Sequence, residues 1–413
     1  MTTATAPRPS ATTATAPAGT LTAPAATGGR AAVSRRAGRI PKGNLAELFL
    51  LARERGAIDL AVGTPGAPET PKPLVEEAVR ALRGGVNQYE LPHGGADIRR
   101  RIAESFTTPA DPDTELTVTV GGTEALCVAL FSLVDPGDEV VLLDPYYENF
   151  LGAVELAGAR PKFVPLHEPE GPGSPDWRLD PDELAAAFGP ATRAIILNTP
   201  ANPTGQTLSA EDLERIAALC ERWDVTVISD EVYANLVFDG RPHLSVADVP
   251  SLRDRSVVVG SLSKSHAISG WRLGFLRARP ELTRVFRRVH EITTNGAGAP
   301  LQLAAGLTDL FDAASLTAAK ELSRARDETA DILSRMGLTF RLPEGGCFVL
   351  ADIRGATDED CRTFVRRVLE ESSVLLAPGT PFFADEARGR NYVRVAFNRS
   401  PEILAAARAR LLP

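Results

Sequence analysis

The sequence predicts an α/β fold in which an open, mostly parallel β-sheet is flanked by helices. Short apolar, β-branched runs alternate with stretches whose apolar residues recur at helical spacing through most of the 413 residues. Glycine-rich or polar motifs follow directly after several of the predicted strands, and ligands of open α/β sheets bind beyond the carboxyl ends of the strands. A chain of this length can form one large domain, a smaller one and a substantial buried core.

Residues 1–29 form a tail of Ala, Thr, Pro and Gly that we expect to be disordered, because it cannot bury enough apolar surface to offset the entropy of ordering. The tail has no apolar h-region, so it does not resemble a secretory signal. Arg30, Arg35, Arg36 and Arg39 follow it, and we interpret them as a solvated basic arm.

The overall composition argues against several classes of function. A formal net charge of -8 gives no electrostatic reason to expect binding to nucleic acid or to an anionic membrane. No apolar run approaches the length of a membrane span. The four cysteines are scattered, so they predict reduced thiols of a cytoplasmic protein rather than zinc ligands or disulfides, and we expect no metal site.

The first predicted elements lie between residues 44 and 106. Helical spacing, with Gly or Pro at the ends, predicts helices at 44–55 and 73–82. A strand predicted at 58–62 runs into a Gly/Pro loop that begins with Gly63. Loop 87–95 carries Tyr89.

The strand predicted at 116–120 indicates an anion site. It runs directly into Gly121, Gly122 and Thr123, and a helical apolar run to residue 134 follows. This arrangement aims free backbone N–H groups and the positive end of a helix at an anion. Gly122 and Thr123 are therefore candidate donors to a phosphate.

Further strands are predicted at 139–144 and 160–166, and Tyr146 and Tyr147 follow the first of them. An aromatic ring at this position can pack in the core or against a flat ligand.

Polar residues directly follow two more predicted strands, at 194–197 and 225–229. Asn198 opens a segment with two X–Pro bonds, which indicates a turn held in fixed geometry and compatible with cis peptides. Asp230, Glu231 and Tyr233 follow the other strand. A carboxylate at the end of a buried strand is costly unless it meets a cation or hydrogen-bond donors.

Lys264 follows a strand predicted at 256–260 in a chain that uses arginine for almost all of its basic residues. A primary amine can lose its proton and condense with a carbonyl, which a guanidinium cannot do, so this lysine is a candidate for a Schiff base. Ser261, Ser263 and Arg272 place hydroxyls and a fixed cation nearby, as a phosphate dianion requires. The alternative is a solvated surface lysine.

Helices dominate from residue 281, including one at 322–336, before short strands return around 340, 347–350 and 392–397. The last strand carries Arg394 between apolar residues, where a guanidinium is difficult to bury without a carboxylate.

Two motifs carry a resemblance to a known family. They are Ser-Leu-Ser-Lys264 with Gly-Trp-Arg272-Leu-Gly, and Asn-Thr-Pro-Ala-Asn-Pro-Thr-Gly, which begins at Asn198. They resemble the class I/II aminotransferases, the fold-type I enzymes that use pyridoxal 5'-phosphate (PLP), and the resemblance extends from about residue 45 to the end of the chain.

The resemblance implies a role at the cofactor ring for five residues. Lys264 holds PLP as a Schiff base and moves the substrate proton. Asp230, rather than Glu231, keeps the pyridine nitrogen protonated. Asn198 and Tyr233 hydrogen-bond the phenolate oxygen, and Tyr147 stacks on the ring. The expected catalytic residues are Lys264, Asp230 and Tyr233.

The resemblance also implies the phosphate and substrate contacts. Tyr89 reaches across a dimer interface to the partner's cofactor phosphate, and Arg394, with Asn198 and Gly63, binds the substrate α-carboxylate. The expected phosphate ligands from the same chain are Gly122, Thr123, Ser261, Ser263 and Arg272.

The implied architecture is a homodimer with shared active sites. Residues 30–62 contribute an arm and part of a small domain, residues 63–300 form the large PLP-binding domain, and residues 301–413 complete the small domain.

The implied activity moves an amino group between an L-amino acid and a 2-keto acid. A neutral or aromatic amino acid is slightly favoured, because no second arginine can be placed for an acidic side chain. The same residues also serve β/γ-elimination, γ-substitution, S-adenosylmethionine cyclisation and carbon–carbon bond formation, so these alternatives stay open. A PLP-binding regulator without catalytic activity is a further hypothesis, disfavoured by the acidic charge and by the lack of a DNA-binding motif before Leu45.

His266 stands where many relatives carry an aromatic residue, which raises the question of an added acid–base group. We favour the interpretation that it packs or hydrogen-bonds near the cofactor.

Overall fold

A computed structural model describes residues 33–40, 46–64, 66–168, 177–311 and 318–412. The predicted tail at 1–29 lies outside these ranges. The predicted α/β class is confirmed, because an eight-stranded sheet in the order β2-β9-β8-β7-β6-β3-β4-β5 forms the centre of the molecule. Its strands are β2 (Leu116–Val120), β3 (Glu139–Asp144), β4 (Arg160–His167), β5 (Arg178–Leu179), β6 (Thr192–Asn198), β7 (Thr226–Asp230), β8 (Ser256–Ser261) and β9 (Leu273–Ala278).

The sheet is mostly parallel. The pairs β3/β4, β3/β6, β6/β7 and β7/β8 are parallel, whereas β9 runs antiparallel to both β8 and β2, and β5 runs antiparallel to β4. The central strands read as continuous apolar runs because both faces of the sheet are covered. Along β6, for example, Ile195 packs into one buried cluster and Ile196 into the cluster on the opposite face.

Helices cover both faces and fill the connections between strands. Those that precede or accompany the large sheet are α1 (Arg35–Arg39), α2 (Ala46–Glu54), α3 (Lys72–Arg83), α4 (Ala96–Glu104), α5 (Gly121–Leu133), α6 (Glu148–Ala157), α7 (Pro181–Ala186), α8 (Ala210–Trp223), α9 (Leu262–Ser265), α10 (Pro280–Thr293) and α11 (Ala299–Leu307).

A smaller antiparallel sheet follows in the order β10-β11-β14-β13. Its strands are β10 (Thr339–Phe340), β11 (Phe348–Asp352), β13 (Ala377–Pro378) and β14 (Tyr392–Ala396). The helices of this part are α12 (Ala318–Arg335), α13 (Cys361–Ser372), α14 (Glu386–Gly389) and α15 (Pro401–Leu411). A separate two-stranded sheet pairs β1 (Ile58–Asp59) with β12 (Val374–Leu375) in parallel, so the early chain meets its C-terminal part.

The strand predicted at 58–62 is shorter in the structure, so this prediction is wrong at its end. The strand β1 covers only Ile58–Asp59, because the N–H groups of Ala61 and Val62 donate to Asp59 Oδ1 at 2.8 and 3.1 Å. Leu60 N still donates to Leu375 O at 2.9 Å, and the side-chain turn replaces strand pairing beyond Leu60.

The carboxyl ends of the parallel strands β3, β6, β7 and β8 meet at one edge of the sheet. They carry Tyr147, Asn198, Asp230 and Lys264, respectively, at or just beyond their last residues. Within the described ranges, none of the helices combines the length and apolar character needed to cross a membrane.

Candidate active site

A cavity of about 270 Å³ opens at this edge of the large sheet. It brings together every predicted site residue except Tyr89. The predicted residues that line it are Gly63, Gly122, Thr123, Tyr147, Asn198, Asp230, Tyr233, Ser261, Ser263, Lys264, Arg272 and Arg394.

Lys264 lies on the one-turn helix α9, which the Ser261 side chain caps by accepting from Ser263 N at 3.1 Å. Its Nζ donates to Gly63 O at 2.7 Å. Burial lowers the pKa of the Lys264 ammonium, and the positive charges of Arg394 and Arg272 lower it further. The pocket therefore eases the loss of the proton that turns the ammonium into the nucleophilic amine.

Asp230 ends β7 and is 8% exposed. Its Oδ1 accepts from Val232 N at 3.2 Å, and no described cation forms an ion pair with it. Burial raises the pKa of this carboxyl to about 7, and the nearby Glu231 carboxylate adds to the effect. A buried carboxyl in this state is suited to a cationic N–H donor.

Glu231, the rival carboxylate, is already occupied outside the pocket. It accepts from Ser229 Oγ and from Val246 N, each at 3.0 Å, and lies 2.9 Å from His243 Nε2. These contacts agree with the choice of Asp230 as the residue that faces the cavity.

Both polar atoms of the Asn198 side chain form hydrogen bonds within the protein. Its Nδ2 donates to Asp230 O at 3.0 Å, and its Oδ1 accepts from Asn202 N at 2.6 Å. The Thr199–Pro200 and Asn202–Pro203 peptides of this segment are both cis. Tyr233 is buried nearby, and burial raises the pKa of its hydroxyl well above the usual value, so the group stays a neutral donor.

The start of α5 and Arg272 form a cup suited to a dianion. A Cβ added to Gly121, which has φ +77°, would lie 2.3 Å from Arg272 Nη2, so the glycine allows the guanidinium to approach the backbone. Arg272 Nη1 donates to Ser269 O at 2.9 Å, and Ser261 Oγ donates to Ser263 Oγ at 2.8 Å. Residues of the helix start, two serine hydroxyls and a cation therefore line the same cavity.

Tyr147 precedes α6 and lines the cavity with its ring. Its hydroxyl accepts from Asn149 Nδ2 at 2.6 Å, and Phe150 packs against it edge to face at 5.4 Å. Burial, together with the nearby Glu148 carboxylate, raises the pKa of Tyr147 to about 12.

Arg394 is 4% exposed and lies between the rings of Phe348 and Phe382, at 4.1 and 4.3 Å from their centroids. Its Nη1 donates to Asn202 Oδ1 at 3.0 Å and its Nη2 donates to Ala61 O at 2.8 Å. Its Nε is buried without a hydrogen-bond partner among the described residues. A guanidinium held in this way is suited to binding a carboxylate that enters the cavity.

A model of the family Aminotransferase class I and II matches residues 55–411. The chain belongs to this aminotransferase family. It is 37% identical to the probable N-succinyldiaminopimelate aminotransferase DapC of Mycobacterium tuberculosis over 350 residues, which cover 84% of this chain and 87% of the relative.

Two further comparisons agree with this assignment. The chain is 32% identical to human kynurenine–oxoglutarate transaminase 1, with 87% of this chain and 93% of that protein covered. The solved structure of N-succinyldiaminopimelate aminotransferase from Mycobacterium tuberculosis superposes with a TM-score of 0.87 at 35% identity, covering 92% of this chain and 99% of that one. The aminotransferase family and its fold imply PLP as the cofactor.

Tyr89 is the predicted site residue that this aminotransferase chain does not bring to the cavity. Its side chain is 87% exposed in the single chain. The predicted role requires a second copy, so it stays a prediction.

Three cavity residues that lie close to Arg394 are among those to which the sequence assigned no role. Asn202 lies inside the recognised motif and orients Arg394, Phe348 stacks on Arg394, and Glu148 directly follows Tyr147. Only Asn202 could have been identified from the sequence, because it belongs to a motif. The positions of Phe348 and Glu148 beside Arg394 depend on tertiary structure.

His266 is buried outside the cavity lining. Ser265 Oγ lies 2.8 Å from its Nδ1, its Nε2 donates to Leu310 O at 2.7 Å, and Phe311 packs against its ring edge to face. These contacts agree with the packing interpretation of His266.

Proposed function

We propose that this cavity holds PLP through Lys264 Nζ and transfers the amino group of an L-amino acid whose α-carboxylate binds Arg394. The observation that carries the proposal is one cavity lined both by Lys264, whose Nζ donates to Gly63 O, and by the buried Asp230, with which no described cation forms an ion pair.

The residues present fit this cofactor at each of its polar groups. The unpaired Asp230 carboxyl suits a pyridinium N–H, and Asn198 and Tyr233 suit a phenolate oxygen. The cup of Gly122, Thr123 and Arg272 suits a phosphate dianion. Asp230 and Tyr233 are buried and Asn198 is half-buried, so electrostatic contacts with the cofactor ring would be stronger than in water, whereas Thr123 and Arg272 are exposed.

When bound, PLP supplies an electron-poor ring that stabilises negative charge at the substrate Cα. Arg394 would orient the amino acid through its α-carboxylate, with Asn198 beside it. The Lys264 amine, in its neutral form, would act as the base that removes the Cα proton. Asp230 would hold a proton on the ring nitrogen, and the Tyr233 hydroxyl would stay a neutral donor because of its raised pKa.

The relatives and the sequence support further proposals about the substrates, the assembly and the location of the protein. Relatives of this chain are named for amino acid substrates, and one for oxoglutarate as well. We infer a neutral or aromatic amino donor, a homodimer in which Tyr89 reaches the partner's cofactor phosphate, and a cytoplasmic location consistent with four cysteines that the structure leaves unpaired.

The visible spectrum of the PLP-loaded protein tests the proposal. A panel of amino acids and S-adenosylmethionine is added without any keto acid. We expect at least one amino acid to convert the bound cofactor to pyridoxamine phosphate, and Lys264→Ala to abolish this conversion. Turnover without any pyridoxamine phosphate would instead indicate elimination, substitution or cyclisation chemistry.

A further inference from the structure

His290 is a buried histidine outside the cavity, and the proposed function gives it no role. It lies in the last turn of α10, and its side chain is fully buried. Its Nδ1 lies 2.6 Å from Glu124 Oε1 on α5, and its Nε2 lies 2.7 Å from Pro92 O in loop 87–95. An ionised carboxylate and a carbonyl can only accept hydrogen bonds, so both ring nitrogens of His290 donate.

The carboxylate partner of His290 is also held by other groups. Glu124 Oε2 accepts from Val120 N at 2.8 Å, and its Oε1 accepts from the hydroxyls of Thr293 and Thr294 at 3.1 and 3.0 Å. Burial alone would raise the pKa of the Glu124 carboxyl, but the hydrogen bond and charge of His290 outweigh it and lower the pKa. Glu124 is therefore an ionised anchor for the imidazole at the start of α5.

The carbonyl partner of His290 belongs to the loop that carries Tyr89. This loop is tied to distant parts of the described chain at Pro92, His93 and Gly95. His93 O accepts from a backbone N–H of β2 at 3.0 Å, and Gly95 N donates to a side chain of α11 at 3.1 Å. The bond from His290 to Pro92 O is the closest of the three to Tyr89, and no other described group donates to this carbonyl.

Tyr89 lies three residues before Pro92 in the sequence. A segment of three residues spans at most about 10–11 Å, so a fixed Pro92 confines Tyr89 to a small region. The Tyr89 side chain is 87% exposed in the single chain, so its own contacts do not hold it. Its position therefore depends on the anchored part of the loop.

We propose that His290 is a positioning residue for the cofactor phosphate of the partner subunit, because it holds Pro92 O and thereby presents Tyr89 to that phosphate. The inference rests on the proposed function, from which it takes the contact between Tyr89 and the partner's phosphate. Without the imidazole, the half-buried Pro92 carbonyl loses its donor, and the loop would move to expose this carbonyl to water.

The test measures how much the phosphate contributes to binding. Calorimetry on the cofactor-free protein gives the dissociation constants of pyridoxamine phosphate and of pyridoxamine, which lacks the phosphate. Neither ligand has an aldehyde, so neither forms a Schiff base with a lysine. General damage to the fold would weaken both ligands, whereas a misplaced Tyr89 would weaken only the phosphorylated one.

The variants are His290→Gln, Tyr89→Phe and the double variant. Glutamine carries its two N–H groups on a single nitrogen, whereas the partners of His290 lie at two different ring nitrogens. His290→Met, an apolar change at the same buried position, is the second variant if the glutamine does not fold. Thr283→Val is the matched control, because the buried Thr283 lies on the same helix and its hydroxyl donates to Ala278 O at 3.0 Å, away from loop 87–95.

We expect His290→Gln to weaken the binding of pyridoxamine phosphate about tenfold and to leave that of pyridoxamine unchanged. Tyr89→Phe should have the same selective effect. The double variant should bind pyridoxamine phosphate no more weakly than Tyr89→Phe alone, since His290 acts through Tyr89. Thr283→Val should bind both ligands as the wild type does.

Equal losses for both ligands, no loss in His290→Gln, or losses that add in the double variant would overturn the inference. Wild-type affinity of Tyr89→Phe for pyridoxamine phosphate would overturn both the proposed Tyr89 contact and this inference. The binding measurement does not depend on turnover, so a protein with the expected affinities that transfers no amino group would contradict the proposed function alone.

Discussion

Lys264 and Asp230 are each held in a cavity that disfavours their charged form. Burial lowers the pKa of the lysine and raises that of the aspartate to about 7. Both effects are costly in the empty protein, and a cofactor that offers a carbonyl carbon and a ring N–H would compensate for them.

Replacement of Lys264 by arginine tests whether the protein needs the amine of this residue or only its positive charge. Lys264→Arg keeps a cation at the end of β8 but removes the group that can condense with a carbonyl, so we expect amino transfer to fall by roughly 10²- to 10⁴-fold or more. The rate of the half-reaction with an amino acid measures this loss. Lys72→Arg, an exposed change on α3, should leave the rate unaltered, and a Lys264→Arg enzyme of near wild-type rate would contradict the assigned role.

The cofactor-free protein should lose stability as pH rises through the range that Asp230 controls. Since the pKa of Asp230 is raised to about 7 in the folded protein, the native state binds this proton more tightly than the unfolded chain between about pH 4 and pH 7. The free energy of unfolding contributed by this group therefore falls by about 4 kcal/mol over that range.

Denaturant unfolding at pH 5 and pH 8 checks this effect. Asp230→Asn cannot ionise, so it should be the more stable protein at pH 8 and should show a smaller decrease between the two pH values. Asp224→Asn, at a fully exposed aspartate, should retain the wild-type decrease. An Asp230→Asn variant with the same pH dependence as the wild type would show that the carboxyl is not destabilised by burial.

At the scale of elements, the junction of β2 and α5 controls the anion cup. Gly121 has φ +77°, and any side chain there would displace the Arg272 guanidinium, whose Nη2 lies 2.3 Å from an added Cβ. We expect Gly121→Ala to weaken PLP binding at least about tenfold, beyond the roughly 1–2 kcal/mol that a left-handed alanine costs the fold.

Gly137 provides the matched control for this change. It has φ +99°, but an added Cβ would meet nothing within 4 Å. Gly137→Ala should therefore lower the free energy of unfolding by a similar amount and leave the dissociation constant for PLP unchanged. Equal PLP affinities in the two variants would show that Arg272 does not depend on this glycine.

Six of the eight strands of the large sheet were predicted, most of them from apolar, β-branched runs and β2 from its alternating pattern, whereas β5 and β9 were not predicted. The predictions at 116–120 and 139–144 coincide with β2 and β3, and the motif residues predicted at strand ends line the cavity. The strand at 58–62 was too long because its end depends on the Asp59 side chain. Contacts between distant residues, such as Glu148 beside Arg394, left no local pattern to read.

The buried pair of Glu124 and His290 is another contact between distant residues that the sequence could not predict. His290 Nδ1 lies 2.6 Å from Glu124 Oε1, and His290 Nε2 donates to Pro92 O at 2.7 Å. The pair joins α5 to α10 and to the loop that carries Tyr89, across 166 residues of sequence. Neither residue belongs to a motif that sequence spacing could identify.

At the scale of the whole molecule, we predict that Tyr89 completes the active site of a second copy. Its side chain is 87% exposed in the single chain, although the family resemblance gives it a contact with the cofactor phosphate. If Tyr89 acts in the partner's site, a mixed dimer of Lys264→Ala and Tyr89→Ala chains contains one intact site and one doubly altered site.

Mixing the two inactive variants tests this arrangement. After exchange of subunits at equal concentrations, activity should recover to about a quarter of the wild-type value, since half of the dimers are mixed and each has one intact site. Each variant alone should stay inactive or nearly so. A mixture no more active than its components would show that Tyr89 does not contribute to the partner's site.

The most direct test of the central assignment is to locate the covalent bond between the protein and PLP. The loaded protein is reduced with borohydride, digested and analysed by mass spectrometry. We predict a phosphopyridoxyl group on Lys264 and none on Lys42, Lys72, Lys162 or Lys320, the remaining lysines of the chain. Modification of another lysine instead, or of none, would contradict the account.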